Sequence, residues 1–438
     1  MPKPFAPAAK GFCVERGNFV LEVLRVVLPL AAALCFVWGA WRCAVGTLFP
    51  AITTATEPGG SPLEARELWR PALLCLAVGA AVQLLFVAWA CGSGRYATLL
   101  DALDVQFYGN TDARHYLDLA QYGYGAGEAF PEQYLMIVFF PLFPWLLRAL
   151  HLLSGQDLRI LALVIQLPLF CAAGTGLFAL VRSRYGKATA WRALGLLLVS
   201  PAAVFFWAPM TESLFLALTV WYVWCLQRRY WARAALLGML AGLTRAPGGV
   251  LAGLAFLELL RCWRAGERRP GAGALAAMAG PAVGLGLYFG LNQAIYGRWN
   301  QYSVYQWEHW GQKLGLFTET IRYHLSYLVL WWQDNRPAAL WICLTAVVCI
   351  VCSFALLAAA ARRLPPSWLG YGLAYLLVTM GATWLLSAPR YAVALFCLPV
   401  AAAVLLQGHP RLTRLVGSLL LVGSVAYTLA YLMHQSIY

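Results

Sequence analysis

Long apolar stretches alternate with short polar ones along the chain. Among the stretches of the 438 residues that contain no Asp, Glu, Lys or Arg, six indicate membrane-spanning segments. Most of them reach the roughly 20 residues that an α-helix needs to cross the hydrocarbon core of a bilayer. The six stretches are residues 71–94, 193–211, 270–297, 337–361, 364–389 and 415–438.

Hydropathy along the whole chain predicts about eleven to thirteen membrane-spanning helices. Hydrocarbon offers no partners for backbone N–H and C=O groups, so spanning segments must be helices or closed barrels. The apolar stretches lack the alternating pattern of barrel strands, which predicts an all-α, polytopic integral membrane protein. The predicted helices centre near residues 33, 82, 143, 170, 199, 219, 241, 254, 282, 348, 376, 399 and 424.

Two of the predicted segments contain helix breakers. Pro141 and Pro144 lie in a segment that ends at Arg148, and residues 234–260 are interrupted by the sequence Arg245-Ala246-Pro247-Gly248. Proline removes a backbone donor and clashes with the preceding helical turn. Each segment is therefore predicted to form a short or re-entrant helix.

Two pairs of glycines have small-xxx-small spacing. Gly238 and Gly242 form one pair, and Gly280 and Gly284 form the other. This spacing lets the backbones of two helices approach closely, so it predicts tight helix contact inside the bundle.

The polar segments divide the chain into three parts. Residues 1–92 are predicted to form N-terminal anchor helices. Residues 93–260 form a central module with a motif-bearing loop at 105–145, and residues 261–438 form the C-terminal helices with an aromatic loop at 296–337. The polar segments are too short for ordinary independent domains.

The sequence is 61% hydrophobic and 11% charged, and its net charge is +14. Such a charge could indicate a nucleic-acid partner, but the basic residues lie in short loops between predicted spans, which is the distribution of cytoplasmic loops. We therefore predict membrane lipid as the surroundings, the plasma (inner) membrane in a bacterial host, and no nucleic-acid partner. The loop clusters are Arg182, Arg184 and Lys187; Arg228, Arg229 and Arg233; Arg261, Arg264, Arg268 and Arg269; Arg362 and Arg363; and Arg411 and Arg414.

The acidic residues gather around the motif-bearing loop, which favours an exoplasmic position for it, although acidic residues contribute little to orientation. A cytoplasmic N-terminus followed by two spans would instead return this loop to the cytoplasm, so one assignment near the start must be wrong. Lys3, Lys10, Arg16 and Arg25 precede an apolar run without a clear cleavage pattern, which predicts an uncleaved anchor. The acidic residues are Asp101, Asp104, Asp112, Asp118, Glu128 and Glu132.

The polar and aromatic segment from Asn110 to Tyr124 is the first candidate site. Thr111 is expected to cap a helix that begins there, with Asp112 facing the loop. Apolar residues then follow at helical spacing, which predicts a short amphipathic helix on the membrane surface with Asp112 and His115 on its polar edge.

A carboxylate at a membrane–water boundary suits a general base that acts on a sugar hydroxyl. Asp112 is the candidate for this role, and His115, Tyr116 and Tyr124 are candidate substrate-binding residues. A solvated acidic loop explains the same residues without any function, and the residues alone do not decide between the two interpretations.

Glu212 lies where one predicted span closes and the next opens. Thr211 or Ser213 could cap the second helix, and Glu212 could complement its positive end, which requires no function. Glu212 could also line a cavity shared with Asp112 as a substrate-binding residue. The two interpretations do not exclude each other.

Arg245 and Arg390 each interrupt an apolar neighbourhood. A guanidinium at membrane depth is unfavourable unless it is paired. Phosphate is a natural partner because the planar guanidinium can engage two of its oxygens, so both arginines are candidates to bind a donor phosphate. The alternative, favoured more for Arg390 at a span end, is an interfacial arginine whose side chain extends to the surface.

The loop from Trp299 to Gln312 is rich in aromatic and amide side chains. Such a mixture fits the flat faces and hydroxyl edges of sugars, but an aromatic belt at the bilayer interface has a similar composition. His115 and His309 lack metal-ligand spacing and the twelve cysteines are scattered, so no metal site is predicted.

Several ordered segments resemble the PIG-V family of GT-C type mannosyltransferases, whose eukaryotic members add the second mannose to glycosylphosphatidylinositol precursors. Gln306 with Trp310, and Arg390-Tyr391, resemble later features of the family, which makes Gln306 and Trp310 substrate-binding candidates. Thr111 stands where the family usually has a tryptophan. The ordered segments are Asp112–Tyr124, Phe139–Pro144, Ser200–Leu214 and Thr244-Arg245.

The resemblance implies a GT-C fold in which residues 93–260 are the catalytic module, with the short amphipathic helix in the first large exoplasmic loop. It also implies a polyprenyl-phosphate-linked sugar donor. We therefore predict an inverting glycosyltransferase, of mannosyltransferase type, that acts at the exoplasmic membrane face. Asp112 would accept the proton of the acceptor hydroxyl, and Arg245 with Arg390 would stabilise the departing phosphate. The acceptor is a glycan, a lipid-linked glycan or a protein, and the scheme requires no cofactor.

Two alternatives remain open from the sequence. A transporter or flippase of a lipid-linked sugar could use the same arginines to bind phosphate, although transporters often contain a two-fold repeat and the chain has no evident duplication. A non-enzymatic assembly subunit is the third interpretation. It predicts that Asp112→Asn leaves complex formation and product yield intact.

Overall fold

The computed structural model describes residues 19–50, 64–92, 98–108, 111–125, 133–267, 269–435 and 437. The chain is 82% helical, and the extended pairing within the described residues is an isolated bridge between Leu314 and Ala382. The predicted all-α class is confirmed. Some residues of the sequence argument lie outside the described ranges: Lys3, Lys10, Arg16, Asn110, Glu128, Glu132 and Arg268.

The described α-helices are numbered in chain order. They are α1 Phe19–Leu48, α2 Trp69–Gly92, α3 Leu99–Leu103, α4 Ala113–Tyr122, α5 Leu142–Ser154, α6 Leu158–Val164, α7 Gln166–Tyr185, α8 Lys187–Leu198, α9 Glu212–Gln227, α10 Trp231–Thr244, α11 Leu251–Arg264, α12 Ala272–Tyr296, α13 Gln301–Trp310, α14 Phe317–Asp334, α15 Arg336–Ala338, α16 Thr345–Ala360, α17 Pro366–Met380, α18 Ala388–Val393, α19 Cys397–Leu405 and α20 Pro410–Leu432.

Short 3₁₀ and π-helical segments lie at several junctions between these helices. Pro141 directly precedes α5 and Pro144 lies in its first turn, so the predicted short helix is confirmed there. The 3₁₀ segments are Ala65–Glu67, Gln133–Val138, Pro201–Phe206 and Ala246–Val250, and the π-helical segments are Asp104–Tyr108 and Ala339–Leu344.

Seven helical segments within the described residues are long and apolar enough to cross a membrane, as expected for a multi-pass membrane protein. The predicted centres near residues 143, 219, 241, 376 and 399 fall on shorter helices, so the count of eleven to thirteen spans stays a prediction. The centre near residue 199 falls on a junction, because α8 ends there and Pro201 starts a 3₁₀ segment. The seven segments are Val20–Leu48, Ala65–Gly92, Leu158–Tyr185, Ala246–Arg264, Ala272–Tyr296, Arg336–Ala360 and Pro410–Leu432.

Arginine-rich connections gather at one end of the bundle, which we call the basic end. Arg264 Nε, at the end of α11, donates to the Leu48 carbonyl at the end of α1 over 3.1 Å. The Tyr185 hydroxyl, at the end of α7, donates to the Arg363 carbonyl over 2.7 Å. Arg363 Nη1 donates in turn to the Val404 carbonyl of α19 over 2.8 Å. These bonds join the end of α11 to that of α1, and join the ends of α7 and α19 through the loop that contains Arg363.

The opposite end, which we call the site end, holds the charged candidate residues of the sequence analysis. α7 connects the two ends, since the Gln166 amide at its start donates to the Met210 carbonyl beside α9 over 3.0 Å. Arg182, near the end of α7, is about 24 Å further along the helix at 1.5 Å per residue. The residues that define the site end are Asp112, Glu212, Arg245 and Arg390.

α1 runs towards the basic end. Arg25, near its start, donates to Ser326 Oγ of α14 over 2.8 Å, whereas Leu48 at its end contacts Arg264. Both predicted N-terminal spans, α1 and α2, are present as helices. If the basic end faces the cytoplasm, as the positive-inside distribution predicts, α1 starts on the opposite side. In that case the conflict in the span count comes from the assumption that the N-terminus is cytoplasmic, and not from the two N-terminal spans.

α10 and α12 cross with their backbones in contact. A Cβ atom added at Gly284 would lie 1.9 Å from the Met239 carbonyl oxygen, and one added at Gly242 would lie 2.4 Å from the Pro281 carbonyl oxygen. The close approach therefore requires glycine, and it fixes the end of α10 that leads to Arg245. The predicted tight contact is confirmed for all four glycines: Gly238, Gly242, Gly280 and Gly284.

Candidate functional site

Four charged residues from distant parts of the chain meet at the site end. Asp112 directly precedes α4, Glu212 is the first residue of α9, and Arg390 lies in the short helix α18. Arg245 follows the end of α10 in extended conformation, with φ −159° and ψ 149°, before the 3₁₀ turn that contains Pro247. The predicted interruption of residues 234–260 is confirmed, and the break points Arg245 towards α9.

The four side chains form a chain of alternating charge, which we call the charge network. Arg390 Nη1 pairs with Asp112, and Arg390 Nε pairs with Glu212 Oε1 at 2.5 Å. Arg245 Nη1 pairs with the same Glu212 oxygen and lies 3.5 Å from Thr211 Oγ1. The order of charges is therefore Asp112, Arg390, Glu212 and Arg245, which balances two carboxylates against two guanidiniums.

The charge network is closed at one end and open at the other. The side chains of Glu212, Arg390 and Arg245 are 0%, 6% and 9% exposed, whereas that of Asp112 is 36% exposed. Removing charges from water is costly unless each finds a partner, and the alternating pairs provide those partners. The interpretation of Arg390 as an interfacial arginine is wrong, because its guanidinium points into the bundle.

Aromatic rings surround the two guanidiniums. The centre of the Arg245 guanidinium lies 5.0 Å from the ring centroid of Tyr391 and 6.0 Å from that of Phe215. The centre of the Arg390 guanidinium lies 5.7 Å from the ring centroid of Phe205. These distances are typical of cation–π contacts, which favour a charged guanidinium in a site from which water is excluded.

The start of α4 differs from the predicted cap. Thr111 precedes the helix and its hydroxyl accepts from the Ala113 amide over 3.3 Å, but the residue at the cap position is Asp112, whose carboxylate makes no capping bond. The Thr111 hydroxyl donates to the Phe107 carbonyl over 2.5 Å. Asp112 therefore does not face the loop as expected, because its pairing with the Arg390 guanidinium replaces local capping.

Arg390 keeps the Asp112 carboxyl ionised. Burial alone would raise the pKa of this carboxyl, but the charge and hydrogen bond of Arg390 outweigh burial, and His115 and Arg245 add to their effect. The pKa of Asp112 is therefore below its ordinary value. Near neutral pH the residue is a carboxylate that can accept a proton or a hydrogen bond.

His115 lies one turn into α4, half-buried beside the charge network. Its ring centroid is 4.9 Å from that of Phe139, and its Nδ1 atom is buried without a hydrogen-bond partner among the described residues. Burial lowers the pKa of His115, although Asp112 and Asp118 oppose this effect. The imidazole is therefore neutral at pH 7.

The two tyrosine candidates of this segment have different surroundings. Tyr116 is buried, with its ring edge-on to Phe139 and Phe143 at centroid distances of 5.3 and 5.4 Å. The Tyr124 hydroxyl donates to the Phe139 carbonyl over 2.6 Å, and the Tyr124 carbonyl accepts from the Tyr296 hydroxyl over 2.9 Å. Tyr124 therefore fastens the end of α4 to α12, and its hydroxyl is occupied by the protein.

The aromatic loop contains α13, and Tyr302, Gln306 and Trp310 recur on this helix at the spacing of one face. Tyr302 lies at the end nearest the charge network, where it interacts electrostatically with Arg245 and Tyr391. Gln306 and Trp310 lie one and two turns further along, and the buried Gln306 Oε1 has no hydrogen-bond partner among the described residues. The structure thus brings α13 beside the site through Tyr302.

Three tyrosines near Arg245 were not singled out as site residues by the sequence. The Tyr375 hydroxyl donates to the Tyr391 carbonyl over 2.9 Å, which holds α18 against α17. Tyr391 was detectable because it directly follows Arg390, and Tyr302 lay inside the predicted aromatic loop. Tyr375 had no signal, since it stands in the middle of an apolar stretch.

The start of α9 contributes further polar atoms to the site. Ser213 Oγ donates to the Phe206 carbonyl over 2.6 Å, so neither Ser213 nor Thr211 caps α9 with its side chain. Glu212 Oε2 is buried without a hydrogen-bond partner among the described residues. In the part of the chain that the structure describes, His, Cys, Asp and Glu side chains do not form groups of three that could hold a metal ion.

Comparison with known proteins adds no further assignment. No family model matches the chain, and none of the curated proteins matches it. The charge network and the motifs of the sequence are therefore the features that bear on function.

Proposed function

We propose that the protein is an inverting glycosyltransferase of the GT-C, PIG-V-like type, with mannose as the expected sugar. It takes the sugar from a polyprenyl-phosphate donor and transfers it to an acceptor hydroxyl at the exoplasmic face of the membrane. The observation that carries this proposal is the charge network, in which a part-exposed carboxylate continues into two buried guanidiniums.

The reaction needs a base on one side of the bond that breaks and positive charge on the other. The acceptor oxygen attacks the anomeric carbon, its proton passes to the Asp112 carboxylate, and the bond from the anomeric carbon to the phosphate oxygen breaks. The electron pair of that bond leaves with the polyprenyl phosphate. Arg390 and Arg245 are suited to stabilise this phosphate, because planar guanidiniums bind phosphate oxygens in pairs.

The pairing between Asp112 and Arg390 links donor binding to the basicity of Asp112. In the free protein Arg390 lowers the pKa of Asp112, and a carboxylate of low pKa is a weak base. A donor phosphate competes with Asp112 for the same guanidinium. Once the phosphate engages Arg390, the carboxylate loses its strongest partner and becomes more basic, so donor binding prepares Asp112 for proton transfer.

Glu212 is a positioning residue in this proposal. One of its oxygens accepts from both guanidiniums, which holds Arg245 and Arg390 side by side. Because the side chain is fully buried, the carboxylate is unsuited to meet a sugar in solvent. Its contribution is to keep two positive charges together where a phosphate can bind.

The test is sugar transfer by purified protein supplied with radiolabelled polyprenyl-phosphate-mannose and a panel of glycan, lipid-linked and protein acceptors. We expect Asp112→Asn to lower the transfer rate roughly 10²–10⁴-fold, which is the usual contribution of a general base. The matched control is Asp118→Asn on the same helix, because the Asp118 carboxylate lies 3.9 Å from Arg114 outside the charge network. This control should retain transfer.

Three results would contradict the proposal in different ways. Equal transfer by wild type and Asp112→Asn removes Asp112 from its role as the base. Equal losses in the two variants indicate a general effect of charge on α4. Absence of transfer from any donor, together with movement of lipid-linked sugar across vesicles, favours the transporter alternative.

A further inference from the structure

A charged cavity lies at the basic end, far from the charge network. It is open to solvent, has a volume of about 540 Å³, and is formed where α2 begins, α7 ends and α8 begins. It is lined by Glu64, Arg66, Glu67, Trp69, Arg70, Arg182, Lys187 and Trp191. The proposed glycosyl transfer makes no use of these residues.

The cavity has more positive than negative charge. Four of its lining residues are basic and two are acidic. Arg66 pairs with Glu64, and Arg182 pairs with Glu67 at 2.8 Å. Arg70 and Lys187 are exposed and form no ion pair within 4.0 Å among the described residues, although Lys187 interacts electrostatically with Glu67. Four basic and two acidic side chains give the lining a net charge of +2.

The start of α8 adds backbone donors to the same place. Lys187 is the first residue of this helix, and Gly186 before it supplies no side-chain cap. No acidic residue occupies the first turn. The first amide groups of an α-helix have no partners within the helix and favour an anion, so backbone and side chains both favour negative charge here.

Two tryptophans line the cavity, as is typical of a membrane interface. Trp69 is exposed at the start of α2, and the Arg70 guanidinium lies 5.3 Å from its ring centroid. Trp191 packs edge-on against Phe178 at a centroid distance of 4.9 Å. The segments Ala65–Gly92 and Leu158–Tyr185, which meet here, are both candidate spans, and tryptophan favours the membrane interface.

We propose that this cavity binds the phosphate of an anionic phospholipid, with Arg70, Lys187 and the start of α8 as the phosphate site and Trp69 beside the glycerol backbone. Arg182 and Glu67 form its nearly buried floor, since the Arg182 side chain is 9% exposed. A lipid held here would brace α2 and α7 against α8. The proposal is independent of the glycosyl-transfer chemistry.

The experiment compares lipid retention by the full chain in detergent, measured by native mass spectrometry. Phosphatidylglycerol, phosphatidylcholine and inorganic phosphate are each added at equal phosphate concentration. The variant is Arg70→Gln with Lys187→Gln. The control is Arg411→Gln with Arg414→Gln, which removes the same charge from exposed positions of α20. Equal unfolding midpoints without lipid ensure that both variants are folded.

We expect wild type and the control to retain phosphatidylglycerol in preference to phosphatidylcholine. The Arg70 and Lys187 variant should bind it about tenfold or more weakly, because each basic residue near an anionic lipid contributes severalfold. Equal retention by the variant and wild type, or equal losses in the variant and the control, would overturn the proposal. Binding of inorganic phosphate without a preference for phosphatidylglycerol over phosphatidylcholine would also overturn the proposal, because the ligand would then be an anion from solution.

Discussion

The two ends of the bundle are both rich in arginine, but most of the arginines at the basic end are exposed, and Arg182, buried beside Glu67, is an exception. At the site end, Arg245 and Arg390 are buried and each touches a carboxylate of the charge network. At the basic end, the side chains of Arg66 and Arg229 are 82% and 65% exposed and pair with acidic residues at the surface. The difference lies in burial, because the residue types are the same.

Exposed arginines such as those at the basic end can orient a membrane protein, whereas buried and paired arginines such as those at the site end can form a functional site. Exposed arginines gain little from a single partner, since water already solvates them and ion pairs at the surface contribute little. A buried arginine without a partner is strongly destabilising, so burial is retained only where the partners are fixed. The charge network meets this condition through Glu212, which serves two guanidiniums at once.

Loss of the shared Glu212 carboxylate should destabilise the protein most. Glu212→Gln leaves two buried guanidiniums opposite one carboxylate, and breaking a buried ion pair typically costs about 3–5 kcal/mol. Glu267→Gln removes the partner of Arg229 at the basic end and should cost less than about 1 kcal/mol. The measurement is the midpoint of thermal unfolding of each purified variant in detergent.

Similar decreases in the unfolding midpoint of these two variants would contradict the difference between the ends, because the site end would then depend on ion pairing no more than the surface does. We also compare Glu212→Gln with Asp112→Asn, and a large decrease in the first alone would separate the roles of the two carboxylates. The stabilising part of the network would then be the buried three residues, and Asp112 would be the part available for chemistry.

A smaller effect is expected at the helix crossing that supports Arg245. Gly284→Ala puts a methyl group against the Met239 carbonyl, which forces α10 and α12 apart at a cost of roughly 1–3 kcal/mol. Gly290→Ala on the same helix meets no atom within 4 Å and is the matched control. If the crossing positions Arg245, Gly284→Ala should also lower sugar transfer, whereas Gly290→Ala should not.

An unchanged unfolding midpoint in Gly284→Ala would show that the crossing tolerates the methyl group. A lower midpoint with unchanged transfer would separate the stability of the crossing from the geometry of the charge network. Both results would weaken the link between the α10–α12 contact and the site.

Local sequence patterns predicted what depends on neighbouring residues. The apolar stretches gave the all-α class, the Arg245-Ala246-Pro247 sequence gave the break after α10, and the glycine pairs gave the crossing. Each of these follows from backbone chemistry within a few residues. The short helix after Asp112 was predicted for the same reason.

Local sequence patterns could not predict which side chains pair in the folded protein. Asp112 and Arg390 are 278 positions apart, and no periodicity connects them. Thr111 was expected to leave Asp112 facing the loop because the capping rule considers only neighbours, whereas Arg390 competes for the carboxylate in the folded protein. Tyr375 has a role at the site only because α17 and α18 fold together.

The smallest predicted effect is the pH dependence that His115 gives to the site end. Burial lowers the pKa of His115, so the folded protein binds this proton less readily than the unfolded chain. Its contribution to stability is therefore complete above the ordinary pKa of about 6.5 and is lost as the pH falls through the lower value of the folded state. His115→Gln should make the unfolding midpoint depend less on pH as the pH falls below about 6.5, whereas His409→Gln, at an exposed position of the basic end, should follow wild type. Parallel curves for all three proteins would mean that burial of His115 is not coupled to folding, and the site end would lose one of its distinctions from the basic end.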